Sequence, residues 1–246
     1  MTDLSADLGF TLAAGHLGDL LDIVSTVSVP FGSGADDSSR MRAACAASAA
    51  KGVLVGLRLA YPRAGVSADR RLEVDLGGLT AELVDQVDAF DAIAQAEGAE
   101  FVFVKPHGAL YDSVVHDKPL ARAVLAAVLA KPALALFGPR LTVLAAMAAL
   151  ECHCSVDQAL ADRRYTPSGS PVPIGSEFAL IADARGVVEQ ARRISQGEIV
   201  AIDGSVIHAH AISIGMSVDS PHGVQCARAV RAALEESGDK VQSFQW

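Results

Sequence analysis

The chain of 246 residues is poor in aromatic side chains and in positive charge. Aromatic residues make up 5% of the sequence and hydrophobic residues 51%. A core built from small aliphatic side chains is typical of α/β proteins whose strands are buried on both faces. The formal net charge of −9 argues against binding to nucleic acid or to an anionic membrane, because phosphate groups require clustered Lys and Arg.

The sequence also lacks a long apolar run, a low-complexity tract and any segment that resembles a linker. Its amino terminus carries Asp3 and Asp7 where a signal peptide would be basic and then apolar, and Lys131 and Pro132 interrupt the apolar stretch 123–135. We therefore expect a single domain over residues 1–246, located in the cytoplasm. Neither the Rossmann nor the P-loop fingerprint occurs.

The four cysteines are expected to be thiols in a reducing compartment. Cys152-His153-Cys154 has two sulfurs on one face of a possible strand. No second Cys/His pair with zinc spacing accompanies it, so a packing role is favoured over a metal site.

Strand-like and helix-like segments alternate along the whole chain, which favours parallel strands joined by right-handed crossovers. A closed or nearly closed (β/α) barrel fits this pattern best, and an open doubly wound sheet is the alternative. We expect strands at 4–8, 24–29, 53–57, 100–104, 133–137, 152–155, 212–216 and 241–244. The helices are expected at 18–24, 37–51, 79–97, 119–129, 140–150, 186–196 and 221–236, with a hairpin over 198–207.

The segment from Val104 to Asp112, Val-Lys-Pro-His-Gly-Ala-Leu-Tyr-Asp, is the most informative stretch. A short apolar strand precedes it, and Pro106 is expected to end that strand. Lys105 and His107 then follow at the end of a buried strand, where α/β proteins place their active sites. The alternative is a surface loop with scattered polar residues.

Several blocks in this chain resemble the LamB/YcsF family, whose characterised members are the A subunits of bacterial ATP-dependent 5-oxoprolinase. Val104 to Tyr111 matches the family's Val-Lys-Pro-His-Gly-Ala-Leu-Tyr throughout. The other blocks follow in the family's order: Asp3 to Gly9, Tyr61-Pro62 with Arg70-Arg71, Ala161 to Tyr165 with Gly169 and Val172-Pro173, and Asp219 to Pro221.

The chain departs from the family pattern at polar positions. Family histidines are replaced by Gly34, Arg58 and Ser217, and family glutamates by Phe10 and Gln158. The family's opening Asn and Cys become Ser5 and Ala6. The scaffold is thus retained, whereas much of the polar pocket is replaced.

The resemblance implies a barrel related to glycoside hydrolases and deacetylases, and the opening of 5-oxoproline to glutamate with ATP handled by the partner B and C subunits of 5-oxoprolinase. Lactam hydrolysis requires a base, a proton donor and a cation for the developing oxyanion. We expect Asp7 to be the base, His107 to transfer the proton, Lys105 to offset negative charge and Asp162 to orient these groups. The expected substrate-binding residues are Asp3, Arg58, Arg163, Tyr165 and Asp219.

Alternatives remain for several of these residues. Asp3 is also compatible with a structural role beside Asp7, Asp162-Arg163 with an ion pair at a helix edge, and Asp219 with capping of the final helix. For Arg58, a surface position is slightly favoured over a carboxylate clamp. His208 and His210 are expected at a solvated edge.

The replacements leave cofactor and function open in part. Related barrels hold a divalent ion with Asp and His ligands, but Gly34 and Arg58 replace the two histidines best able to complete such a set. We expect no tightly bound metal or cofactor. Two alternatives to a role in 5-oxoproline hydrolysis remain: an impaired family member that binds a ligand or supports assembly, and a hydrolase of a different amide or lactam.

Overall fold

The structure, a computed structural model, describes residues 1–9, 12–32, 34–61, 75–139, 142–151 and 155–245. Strands and helices alternate, and the parallel strands follow the order β1-β2-β3-β4-β5-β6-β9 around a closed barrel. The predicted (β/α)-barrel class is therefore confirmed. The strands are β1 (Asp3–Leu8), β2 (Thr26–Pro30), β3 (Leu54–Leu59), β4 (Phe101–Pro106), β5 (Ala135–Gly138), β6 (Ser155–Leu160), β7 (Glu198–Val200), β8 (Val206–His208) and β9 (Ser213–Val218).

Helices occupy the connections between these strands. They are α1 (Ala14–Leu21), α2 (Ala35–Lys51), α3 (Leu76–Ala96), α4 (Gly108–Val114), α5 (Lys118–Leu129), α6 (Val143–Glu151), α7 (Ala184–Ser195) and α8 (Pro221–Glu236). None of the helices in the described ranges is long and apolar enough to cross a membrane.

The described residues form two compact units. The first unit comprises 1–9, 12–27, 139 and 156–245, and the second comprises 28–32, 34–61, 75–138, 142–151 and 155. The first contains β1, β9, most of β6 and the antiparallel β7–β8 hairpin, which the Asp203-Gly204 turn predicts. The second contains β3, β4 and β5.

Helix boundaries follow from side chains that accept hydrogen bonds from free backbone amides. Asp75 caps α3, Asp117 caps α5, Asp183 caps α7 and Ser220 caps α8. The predicted start of α2 at Asp37 is wrong by two residues. Ala35 begins the helix, and Asp37 in its first turn accepts a hydrogen bond from the amide of Gly34 at 3.3 Å.

Some predicted strand limits also need correction. Pro106 is the last residue of β4 rather than a residue beyond it. Proline has no backbone N–H to donate, and the last position of a strand tolerates the loss of that hydrogen bond. The strand predicted at 152–155 is β6, which runs from Ser155 to Leu160; residues 152–154 lie outside the described residues. The strand predicted at 241–244 is reduced to a single bridge between Thr2 and Val241.

Candidate active site

In the first unit, one face of β1 is polar. Asp3, Ser5 and Asp7 alternate with Leu4, Ala6 and Leu8, so the three polar side chains share a face. β9 lies parallel to β1 and pairs Ser213 with Asp3, Gly215 with Ser5 and Ser217 with Asp7. Two strands therefore carry small or polar side chains at matching levels.

The amino-terminal end of this face is a closed hydrogen-bond network around Asp3, which is only 1% exposed. The carboxylate accepts hydrogen bonds from the hydroxyls of Ser25 at 2.7 Å, Thr26 at 3.2 Å and Ser213 at 2.6 Å. Gln158 in turn donates to the hydroxyl of Ser213 at 3.0 Å. Because a carboxylate with several donors is fully satisfied, these contacts favour the structural alternative for Asp3. Asp3 is not beside Asp7, however, since the two lie four positions apart along the strand, a distance of about 13 Å.

At the carboxyl end of the face, Asp7 and Asp162 lie on either side of Ser217. Asp7 is the register partner of Ser217 and is 9% exposed. The amide of Ser217 donates to Oδ2 of Asp162 at 2.8 Å, while Oδ1 of Asp162 is buried and has no hydrogen-bond partner among the described residues. Burial raises the pKa of Asp162, and the negative charge of Asp7 raises it further, although hydrogen bonds from Ser217 and the charge of Arg163 act in the opposite direction.

The backbone that carries Asp162 is held by Gln190 on α7. The side-chain amide of Gln190 donates to the carbonyl oxygens of Leu160 at 2.9 Å, Ala161 at 3.1 Å and Arg163 at 2.6 Å. Asp162 lies in the turn after β6 and Arg163 forms an isolated bridge with Leu180, so neither is at a helix edge and the alternative of an ion pair there is wrong. Nothing in the sequence pattern pointed to Gln190, since it lies on an otherwise ordinary amphipathic helix.

Arg163 and Tyr165, both predicted to bind substrate, are buried. The Nη2 group of Arg163 donates to the carbonyl oxygen of Val172, which ties the segment after β6 to the following loop. The hydroxyl of Tyr165 accepts a hydrogen bond from the amide of Leu160 at 2.6 Å, and burial raises its pKa. These contacts support the turn that carries Asp162.

Asp219, the remaining residue predicted to bind substrate, is exposed just after β9. Its alternative role as the cap of α8 is wrong, because the Ser220 hydroxyl accepts the hydrogen bond from the amide of Gly223. Asp219 instead packs closely against Gly9, where an added Cβ would lie 2.3 Å from the Cβ of Asp219. Only glycine leaves room for this approach at the end of β1.

In the second unit, Arg58 and Lys105 are neighbours on adjacent parallel strands. β3 pairs with β4 so that Arg58 is the register partner of Lys105, and the two side chains are 7% and 5% exposed. The slightly favoured surface position for Arg58 is therefore wrong. Arg58 and Lys105 thus bring two buried cationic side chains to one level of the sheet.

His107 follows β4 directly and is half-buried. Its amide donates to the carbonyl oxygen of Leu59 at 2.8 Å, and Gly108, with a φ of 57°, then turns the chain into α4. Only glycine adopts this conformation without strain. These contacts hold His107 directly beyond the end of β4, two residues after Lys105. The short helix α4 that follows was not predicted.

The described residues offer no group of three or more His, Cys, Asp or Glu side chains that could hold a metal ion. Gly34 lies at the start of α2, and Arg58 brings a buried positive charge, so these two positions do not fit a divalent ion. His208 and His210 are exposed. Phe10 and the segment 152–154, like the Pro62 and Arg70-Arg71 positions of the family blocks, lie outside the described residues.

Comparison with known proteins agrees with the motifs. The sequence model of the LamB/YcsF family matches residues 2–246. The chain belongs to the LamB/YcsF family. It is 38% identical to the third 5-oxoprolinase A subunit of Pseudomonas syringae pv. tomato, over 98% of this chain and 96% of that protein. It is 40% identical to the 5-oxoprolinase A subunit of Streptomyces griseus, over 99% of this chain and 100% of that one.

A solved structure of a similar protein has the same fold. The lactam utilization protein from Thermus thermophilus superimposes with a TM-score of 0.83 and 31% sequence identity, and the match covers 99% of both chains. Similarity at this level over 99% of both chains makes the (β/α)-barrel fold a shared feature of the two proteins.

Proposed function

We propose that this protein is the A subunit of an ATP-dependent 5-oxoprolinase, which hydrolyses the lactam ring of 5-oxoproline to glutamate. The observation that carries the proposal is the full-length similarity to proteins named as 5-oxoprolinase A subunits. It is supported by the positions of Asp7, Lys105 and Arg58, each at the carboxyl end of its own strand. Active sites of β/α barrels lie at that end.

The residues present supply the chemistry that lactam hydrolysis needs. Water must attack the ring carbonyl carbon, and the carboxylate of Asp7 is suited to accept the proton of that water. The paired cations of Arg58 and Lys105 are suited to bind the carboxylate of 5-oxoproline or the developing oxyanion. The leaving ring nitrogen also needs a proton, a role for which the sequence nominates His107.

The family resemblance implies that the stable five-membered lactam is activated with ATP before water opens it. We expect partner subunits of the B and C type to handle the nucleotide in the cytoplasm, and this chain to bind no cofactor tightly. The absence of Rossmann and P-loop fingerprints from the sequence is compatible with this division of work.

The test is ATP-dependent release of glutamate from 5-oxoproline by this protein mixed with its two partner subunits. Activity that requires this chain and falls strongly in Asp7→Asn supports the proposal. A correctly assembled mixture without activity above that of the partners alone contradicts it. Metal analysis of the purified protein is expected to give well below one equivalent of zinc or manganese, whereas one equivalent lost in His107→Ala would overturn that expectation.

The second candidate is an impaired relative that binds a ligand or supports assembly. It is favoured by the replacement of family histidines with Gly34 and Arg58, since the Arg58 side chain is buried beside Lys105. If it is correct, the double change Gly34→His and Arg58→His should raise a low activity. A third candidate, a hydrolase of a different amide or lactam, predicts activity on another cyclic amide and none on 5-oxoproline.

A further inference from the structure

We propose that Asp162 and Asp7 work as a pair of carboxyl groups in which Asp162 holds a proton at neutral pH and Asp7 is ionised. This inference rests on the proposed function for its chemical consequence. It assigns to Asp162, which was expected only to orient other groups, the donation of a proton to the leaving ring nitrogen. His107 then serves in binding rather than as the proton donor.

The geometry identifies the oxygen that holds the proton. Oδ2 of Asp162 accepts the hydrogen bond from the amide of Ser217 at 2.8 Å, which favours negative charge on that oxygen. Oδ1 is buried and accepts no hydrogen bond from any described residue. A buried carboxylate oxygen without a donor is costly when charged, and protonation on Oδ1 removes that cost.

The surroundings of Asp162 explain why the two carboxyl groups differ. Asp7 contributes a like charge from β1, and two carboxylates close together resist ionising at the same time. The other titratable or charged groups that interact with Asp162 are Arg163 in the same turn, the phenol of Tyr165 and the thiol of Cys226 on α8. Arg163 favours the charged form, but burial outweighs it.

Gln190 and Ser217 keep the pair in place. Gln190 binds three carbonyl oxygens around Asp162, and Ser217 pairs with Asp7 on one side while its amide holds Asp162 on the other. An acid and a base held by fixed backbone groups are poised for complementary proton transfers. Pairs of carboxyl groups with separated pKa values mark acid and base roles in many enzymes.

The proposed step conserves atoms and charge. A water oxygen forms a bond to the ring carbonyl carbon of the lactam while the carbonyl electron pair moves onto its oxygen and Asp7 accepts a proton from that water. The oxyanion re-forms its double bond as the carbon–nitrogen bond of the ring breaks, and the electron pair left on nitrogen takes the proton held by the Asp162 carboxyl group. Asp7 is left protonated and Asp162 ionised, and transfer of one proton between them through solvent restores the starting state.

The test is a carbon-13 NMR titration of the full chain with labelled aspartate carboxyl groups. We expect one carboxyl group to titrate well above the ordinary aspartate pKa of about 3.9. That signal should be absent in Asp162→Asn and should titrate at lower pH in Asp7→Asn, because the neighbouring negative charge is gone. Asp203→Asn, a change in the exposed β7–β8 turn, is the matched control and should leave the signal unchanged.

A normal or lowered pKa for Asp162, or a raised pKa that does not respond to Asp7→Asn, overturns the proposal. Asn is nearly isosteric with protonated Asp, so Asp162→Asn is expected to fold; the Asp7→Asn titration gives an answer even if it does not. In the reconstituted enzyme, Asp162→Asn should lower kcat by about 10²–10⁴-fold with little change in KM. The titration is measured without substrate, so its result stands apart from the success of the proposed function.

Discussion

Both ends of the polar face in the first unit carry a buried carboxyl group, but the two groups differ in their hydrogen-bond partners. At the amino-terminal end, Asp3 is buried and accepts hydrogen bonds from three hydroxyls. At the carboxyl end, Oδ1 of Asp162 is buried without a hydrogen-bond partner among the described residues.

The difference separates a carboxyl group that supports the fold from one that is suited to chemistry. A satisfied buried carboxylate stabilises the fold and has no capacity left for a ligand. An incompletely satisfied one costs stability, and groups with perturbed pKa values of this kind cluster at functional sites. The sequence places an aspartate at each end of this face, Asp3 and Asp7. Only the side chains around each end distinguish the structural role from the chemical one.

The largest expected effect is on activity at the carboxyl end. Asp7→Asn removes the proposed base while keeping the size of the side chain, so kcat in the reconstituted 5-oxoprolinase should fall by about 10²–10⁴-fold. Steady-state kinetics with the partner subunits measures this. Asp203→Asn is the control, and an equal loss in that variant would mean that the effect does not arise at the site.

At the amino-terminal end the effect should be on stability. Ser213→Ala removes a hydrogen bond to the Asp3 carboxylate and the hydrogen bond that the Gln158 amide donates to Ser213, which should lower the free energy of unfolding by about 2–4 kcal/mol. Urea denaturation measures it. Ser237→Ala, at the end of α8, is the matched control and should cost less than about 1 kcal/mol. Similar losses in the two variants would contradict a special role for the Asp3 network.

The direction of the hydrogen bonds around Ser213 can be tested by a charge change. In Gln158→Glu, the single hydroxyl proton of Ser213 can satisfy only one of two carboxylates, so the new carboxyl group should have a raised pKa. The stability of the Gln158→Glu variant should therefore be close to that of the wild type at acid pH and should fall as pH rises through the pKa of this carboxyl group.

Gln95→Glu on α3 makes the same exchange at an exposed site, where Gln95 donates to Asp91. Denaturation at several pH values should show little pH dependence for this control. A flat profile for Gln158→Glu as well would mean that the network adapts to either residue.

The smallest expected effect is the contribution of Asp162 to the pH dependence of stability. Because its pKa is raised in the folded protein, the native state binds more protons than the unfolded state above the ordinary aspartate pKa. The wild type should therefore lose stability as pH rises from about 4 through the pKa of folded Asp162. Asp162→Asn should lack this decrease, and an unchanged profile would show that Asp162 titrates normally.

The sequence predicted the barrel and the family because strand–helix alternation and the Lys105–His107 motif depend on local pattern. It also placed Asp3 and Asp7 on one face, since side chains alternate along a strand. It could not predict the roles of Ser25, Ser213 and Gln190, because their hydrogen bonds join residues far apart in the chain. The burial of Arg58 was missed for a related reason: strand β3 continues two residues further than its apolar run.

Other expectations stay predictions. The roles assigned to Lys105, His107 and Asp219, the absence of a tightly bound metal and the single-domain organisation all await direct measurement. Each depends on a ligand, a partner or a folding experiment rather than on local geometry.

The most direct test of the difference between the two ends is to measure kcat and the free energy of unfolding in Asp3→Asn and Asp7→Asn side by side. We predict a crossed result. Asp3→Asn should lose about 1.5–3 kcal/mol of stability and keep most of its activity, whereas Asp7→Asn should keep its stability and lose its activity. Parallel losses of both quantities in the two variants would contradict the division between a structural end and a chemical end.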